Sequence, residues 1–250
     1  MLLIYNILAA ISFVLGLPWL LMMLFRREHR LGERLGLGFK ERFAPLKGRK
    51  PIWIHAASVG EISAINPLLS AVKTRRPELP VVISATTVTG LKKARQVLKE
   101  ADVFTLLPFD LMLILFYVLG QVRPKVLLLT ELELWPNLIW GAKTLGYRLA
   151  VVNGRLSPRG FSRYQLIKRF VRKILGKVDF FCLQSELDRE RFLQLGVSPE
   201  KTAVTGSLKF DVSLGKHVKL PFLADRQAIV AGSTREGEEK ILIEAFAELR

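Results

Sequence analysis

The stretch Ile52-Trp53-Ile54-His55-Ala56-Ala57-Ser58-Val59-Gly60-Glu61 decides the fold class. A short apolar run rich in β-branched and aromatic side chains gives way to small residues, then a glycine, then an acid that opens a helical pattern. Ser58 stands three residues before Glu61, the spacing of a capping box. A strand that feeds straight into a helix begins a βα unit, and the same rhythm repeats downstream. Strands are predicted at Pro51–Ala56, Pro80–Ala85, Val103–Leu107, Lys125–Thr130, Arg148–Asn153, Asp179–Leu183 and Thr202–Thr205. Helical patterns fall between them, among them Glu61–Arg75, Leu91–Lys99 and Leu138–Leu145. This alternation predicts an α/β domain built on a parallel sheet covered on both faces.

Open parallel sheets bind ligands at the carboxyl ends of their strands, so the strand-to-helix turns are where chemistry is sought. Glu61 has two readings there: a helix-capping carboxylate, or a general base at the mouth of a cleft. The fourth strand runs into Thr130-Glu131-Leu132-Glu133-Leu134-Trp135-Pro136-Asn137. Glu131 and Glu133 point the same way if the strand continues, and acids placed directly after an apolar strand cost desolvation unless they have a partner or a task. Pairing of Glu133 with the dipole of the helix that starts at Trp135-Pro136 is the structural alternative. The seventh strand leads into Val204-Thr205-Gly206-Ser207-Leu208-Lys209-Phe210-Asp211. Lys209 there either neutralises a phosphate leaving group in an interdomain cleft or is a solvated linker lysine.

The formal net charge of the 250-residue chain is +16, which favours a polyanionic partner: nucleic acid, an anionic membrane or a phosphorylated substrate. No zinc spacing, RNA-recognition aromatic signature or compact basic domain supports nucleic acid, and none is expected as a partner. Cys182 is the only cysteine, so no intrachain disulfide can form; it sits in an apolar run and is expected in a buried strand. His29, His55 and His217 lack Glu or His at metal-ligand spacing, so neither a metal nor a cofactor is expected.

Leu2 to Phe25 carries no charged side chain, and Asn6 and Ser12 are its clearest polar members. At ~1.5 Å per residue it exceeds the ~30 Å hydrocarbon core, so a transmembrane anchor over residues 1–26 is expected. Arg26, Arg27 and Arg30 follow it, which is expected to place the rest of a single-pass protein on the cytoplasmic side of the membrane. A cleaved signal peptide would carry its basic residues ahead of the apolar run instead. A second basic element, Ser162–Lys177, has apolar residues at helical spacing, and no acid occurs from Arg155 to Lys177; it reads as a core-facing helix or as a contact for lipid or phosphate. Leu111–Leu119 reads as a buried helix or as a membrane-facing one. Residues 27–211 form the main domain and 212–225 a linker. Residues 226–250, with a strand at Gln227–Ala231 and a helix at Glu236–Arg250, open an incomplete second domain.

In order, Gly32-Glu33-Arg34-Leu35-Gly36, His55-Ala56-Ala57-Ser58-Val59-Gly60-Glu61, Thr86-Thr87-Val88-Thr89-Gly90, Pro108-Phe109-Asp110, Glu131 to Asn137, Asn153-Gly154-Arg155-Leu156-Ser157, Thr205 to Asp211 and Gly232 to Glu239 resemble the Kdo (3-deoxy-D-manno-octulosonic acid) transferase family. The resemblance implies a GT-B glycosyltransferase with two Rossmann-like domains. It implies transfer of Kdo from CMP-Kdo to the phosphorylated lipid A precursor, lipid IVA, at the cytoplasmic face of the membrane, with inversion and without a metal. Glu61 matches the family's proton acceptor, and Glu131 and Lys209 match groups that stabilise the transition state. Ser58, Gly60 and Glu133 are candidate substrate contacts, and Ser233 and Thr234 could approach the donor phosphate. Leu132 departs from the family's usual threonine but leaves both carboxylates in place. The family's CMP-binding residues lie beyond Arg250, so this chain alone is expected to give little or no catalysis. The rival readings are a non-catalytic membrane module that binds anionic glycolipid, and a GT-B transferase with another donor.

Overall fold

The structure, a computed structural model, describes residues 1–25, 30–46, 48–211 and 230–248. It comprises one unit of Met1–Val212 and a second of Ser213–Arg250. Helices α1 (Leu2–Leu15), α2 (Leu17–Phe25), α3 (Leu31–Arg34) and α4 (Phe39–Phe43) precede the sheet. Strands and helices then alternate: β1 (Ile52–His55), α5 (Val59–Ala64), α6 (Asn66–Arg75), β2 (Val81–Ala85), α7 (Val88–Val97), β3 (Val103–Leu106), α8 (Met112–Val122) and β4 (Val126–Thr130). The first unit continues with α9 (Pro136–Thr144), β5 (Arg148–Gly154), α10 (Pro158–Leu166), α11 (Lys168–Leu175), β6 (Phe180–Leu183), α12 (Glu186–Gln194) and β7 (Thr202–Val204). The second unit contains α13 (Glu238–Glu248).

The seven strands predicted for the main domain all form, and they pair in parallel in the order β3-β2-β1-β4-β5-β6-β7. The order reverses between β1 and β4, so the helices that follow these strands leave on opposite faces and a crevice opens at their carboxyl ends. The two-residue period of β1 shows the layering: Ile52 and Ile54 belong to one core with Ile62, Ile83 and Leu91, whereas Trp53 belongs to the other with Leu119, Leu127 and Leu129. Before the sheet, Glu33 of the Gly32–Gly36 motif is buried. Its carboxylate meets Arg30 at 2.8 Å and Arg42 at 3.2 Å and accepts from the Thr105 hydroxyl and the Leu106 N–H, which pins α3 to the end of β3.

The apolar N-terminus differs from the expected continuous span. Gly16 separates helices of 14 and 9 residues, or ~21 Å and ~14 Å at 1.5 Å per residue. Among the described residues no helix is long and apolar enough to cross a membrane. Pro18 is the physical cause at hand, since it has no N–H to donate back into α1. The α1 helix lies against the domain instead, with Tyr5 stacked on Phe170 and Phe13 edge-on to Phe109. Proline also divides the expected Glu61–Arg75 helix into α5 and α6, with Pro67 in the first turn of α6. The basic Ser162–Lys177 segment is likewise two helices: Val171, Ile174 and Leu175 are buried, while Leu166 is 86 % exposed. The greasy 111–119 segment falls in α8, with Leu115, Val118 and Leu119 in the core, as the buried reading expects, and Leu113 87 % exposed. The linker at 212–225 and most of the strand expected at Gln227–Ala231 lie outside the described residues.

At the amino ends of the strands the sheet uses one device twice. Asp102, just before β3, accepts from the Val81 N–H and from Lys73; Asp179, just before β6, accepts from the Leu149 N–H and from Lys143. Burial acts to raise the Asp179 carboxyl, but Lys143, the Leu149 N–H and Lys201 outweigh it and hold the group below the ordinary range. Such a carboxylate contributes stability fully above its unfolded value of about 3.9 and loses that contribution as pH falls through its lower folded value. Asp179→Asn should therefore lower the urea midpoint at pH 7, and its gap from the parent should close as the pH falls below the ordinary carboxylate range. A gap independent of pH would mean that shape, not charge, is what Asp179 supplies.

Candidate active site

Ser58 caps α5: its hydroxyl accepts from the Glu61 N–H at 3.2 Å. The Glu61 side chain turns back, and Oε2 accepts from the Ala57 N–H at 2.9 Å and from the Thr130 hydroxyl at 2.7 Å. The capping reading of Glu61 is therefore realised, one residue earlier than a capping box requires. The functional reading survives beside it, because both bonds use Oε2 and Glu61 lines a cleft of about 520 Å³. The Thr130 hydroxyl also lies 2.9 Å from the His55 carbonyl. It has one proton, so it serves either that carbonyl or Glu61 at a given moment.

Across the switch point the strand does not continue past Thr130. Glu131 takes a left-handed backbone (φ 54°), and its N–H bonds the Val152 carbonyl. The two glutamates consequently diverge instead of pointing the same way. Glu131 Oε2 accepts from Arg155 Nε at 3.0 Å, and Oε1 lies 4.0 Å from Lys209 Nζ. Glu133 accepts from Trp135 Nε1 at 2.9 Å and lies 3.6 Å from Nε2 of the buried His55. His55 is held from behind by Ser84 Oγ at 2.9 Å, which in turn accepts from Trp53 Nε1.

The far wall of the cleft comes from the turn after β5. Asn153 is also left-handed (φ 55°), and its Oδ1 accepts from the Leu208 N–H, which ties the Lys209 segment to β5. Helix α12 takes both backbone groups of Leu156: its N–H donates to Asp188, and its carbonyl accepts from Arg191 at 2.6 Å. Ser157 caps α10, whose amino end also lines the cleft with Arg155, Arg191 and Tyr164. Burial, with the Glu133 carboxylate second, pushes the Tyr164 phenol up, so it stays protonated. The cleft thus gathers Glu61, Glu131 and Glu133 with guanidinium groups and a helix amino end, and Arg155 is already paired to Glu131. Such an arrangement can take a proton from a hydroxyl while stabilising an anionic group nearby. Among the described residues no group of three or more His, Cys, Asp or Glu could hold a metal ion.

Residues 29–212 match the family model described as 3-deoxy-D-manno-octulosonic-acid transferase (kdotransferase). The chain belongs to this family. It is 33 % identical to a 3-deoxy-D-manno-octulosonic acid transferase of Chlamydophila psittaci, covering 98 % of this chain and 59 % of that protein. It is 30 % identical to the Haemophilus influenzae transferase of the same name, over 90 % and 53 %. A bifunctional glycosyltransferase/methyltransferase of Fusobacterium nucleatum matches at 33 % identity over 98 % of this chain and 39 % of its own. The chain thus spans about half the length of the curated relatives it matches. Among solved structures, a putative UDP-N-acetylglucosamine 2-epimerase from Listeria monocytogenes superposes with a TM-score of 0.52 over 71 % of this chain and 52 % of its own, at 18 % identity. That likeness shows a shared Rossmann-like fold.

Of the residues that the family resemblance singled out, Glu61, Glu131 and Glu133 line one cleft, with Lys209 beside Glu131. Ser58, the N-cap of α5, and Gly60 in its first turn are exposed and do not line it. Ser233 and Thr234 belong to the second unit, where Thr234 donates to Glu239 and Ser233 has a left-handed backbone. Arg155, Arg191 and Thr130 had no role assigned from sequence. Arg155 follows β5 as Glu131 follows β4, so the strand-end rule could have found it.

A non-glycine residue in the left-handed region costs on the order of 1–2 kcal/mol. The ion pair to Arg155, a largely exposed residue, returns less than about 1 kcal/mol. Glu131→Gly should therefore leave the unfolding free energy unchanged or raise it by up to ~1 kcal/mol while removing the carboxylate from the cleft. A clear loss of stability in urea titrations would show that the carboxylate holds Arg155 and Lys209 in place.

Proposed function

We propose that this chain is the acceptor-side half of a GT-B glycosyltransferase that moves Kdo from CMP-Kdo to the phosphorylated lipid A precursor, lipid IVA, with inversion and without a metal. The observation that carries the reading is the Glu61 carboxylate, anchored through Oε2 at the β1–β4 switch point and lining a cleft that Arg155 and Arg191 also line. In this reading Glu61 takes the proton of the acceptor hydroxyl. The oxygen attacks the anomeric carbon, the bond from that carbon to the phosphate oxygen breaks, and CMP leaves with the electron pair. A single displacement of this kind inverts the centre. Lys209 and Arg155, both against Glu131, meet the negative charge that develops, and Ser233 and Thr234 remain candidate donor-side contacts.

We further propose that the chain works at the cytoplasmic face of the inner membrane, seated on it and not threaded through it by α1. The outer face of α1 supports this, with Leu3, Ile7 and Leu15 exposed, as does the exposed Trp19 of α2. So do exposed Leu166 and Ile167 beside the basic side chains Lys168, Arg169, Arg172 and Lys173. Near an anionic leaflet each such cation is worth ~1 kcal/mol.

In a full-length transferase carrying this chain, Glu61→Gln should keep its fold and its binding to anionic phospholipid vesicles while transfer from CMP-Kdo falls ~10²-fold or more. Retained transfer would remove Glu61 from the role of base. A wild-type protein that leaves CMP-Kdo unconsumed would overturn the donor assignment.

A further inference from the structure

Asp110 closes the Pro108-Phe109-Asp110 motif, and the chemistry above gives it no task. Helix α9 has no side-chain cap of its own, since Trp135 occupies the N-cap position. Asp110 supplies the cap from 27 residues away: Oδ2 accepts from the Asn137 N–H and Oδ1 from the Leu138 N–H, both at 3.0 Å. These are the second and third amides of the helix, the pair that an N-cap side chain satisfies. The Asp110 carbonyl also accepts from Asn137 Nδ2 at 2.6 Å, and Asn137 is fully buried.

Helix α1 bonds both members of this cap. The Tyr5 hydroxyl donates to Asp110 Oδ2 at 2.6 Å, and Asn6 Oδ1 accepts from Asn137 Nδ2 at 2.9 Å. The loop of residues 131–135, which carries Glu131 and Glu133, ends where α9 begins, so the place of that first turn sets the place of the loop. The only polar side chains in the first ten residues of an apolar helix are therefore spent on the support of the candidate active site.

We propose that α1 is a positioning element of the site: Tyr5 and Asn6 hold the Asp110–Asn137 cap, and seating of α1 on a membrane surface steadies the 131–135 loop. Its effect on transfer rests on the function proposed above; the coupling of α1 to the loop does not.

Tyr5→Phe is the discriminating variant, because it keeps the ring on Phe170 and removes only the hydroxyl. Leu3→Ala, on the outer face, is the control. Amide exchange is followed by mass spectrometry with and without vesicles of anionic phospholipid. In the parent, vesicles should slow exchange over 131–138. In Tyr5→Phe exchange there should be about tenfold faster and the vesicle effect lost, with the strands and vesicle sedimentation unchanged. Leu3→Ala should weaken sedimentation and, once bound, show the parent's protection. Parental exchange over 131–138 in Tyr5→Phe overturns the proposal, as does faster exchange spread evenly over the sheet. In the full-length enzyme Tyr5→Phe should lower kcat by roughly tenfold with KM for the donor unchanged, and an unchanged kcat beside a loosened loop overturns the positioning role. A parent without transfer activity would sink the function proposed above and leave the exchange result to decide the coupling.

Discussion

The Thr130 hydroxyl, 2.7 Å from Glu61 Oε2 and 2.9 Å from the His55 carbonyl, joins the end of β4 to both β1 and the start of α5. It sits where the strand order reverses, and the rest of the site depends on it. A carboxylate only 8 % exposed costs a good deal to bury unless its oxygens are bonded. The Ala57 N–H and the Thr130 hydroxyl meet that cost, and both are supplied by the ends of neighbouring strands. The β1–β4 register that pairs His55 with Leu129 is thus a condition for placing Glu61. A slip of one residue would turn Thr130 to the other face of the sheet and leave the carboxylate with one donor.

The other walls of the cleft are fixed by the same economy, in which side chains bond backbone groups of the next strand end. Asn153 at the end of β5 reaches the Leu208 amide beyond β7, and Asp188 and Arg191 of α12 take both backbone groups of Leu156. Two successive strand ends, at Glu131 and Asn153, are left-handed without glycine. Strained backbone of this kind persists only where its surroundings over-determine it, and here the Val152 carbonyl, Arg155 and Leu208 do so. The result is a set of charges whose directions are settled before any ligand arrives, the condition under which electrostatic stabilisation is most effective.

The strands were legible because a parallel sheet buried on both faces leaves uninterrupted apolar runs, and all seven show them. Glu61, Glu131 and Lys209 were legible as residues at strand ends and as matches to one family's motifs. Their directions were not. Nothing in the types of residues 130–133 announces that Glu131 turns left-handed, so the expectation that both glutamates point one way failed on a single φ angle. Arg155 and Thr130 passed unread because each was quoted only as part of a run. The apolar N-terminus differs from its expectation for another reason: hydropathy counts side chains, and it does not show that the backbone divides at Gly16 into two helices.

The polar residues of that segment bear on how it can sit. A helix crossing a bilayer on its own would carry Tyr5 and Asn6 into hydrocarbon, where unpaired polar groups are costly. Against the domain both are paired, to Asp110 and Asn137, partners more than a hundred residues away in sequence. The pairing that satisfies them also fixes which face of α1 turns outward, and that face is apolar. The bonds that support the 131–135 loop are therefore also bonds that settle which face of α1 is left outward and apolar.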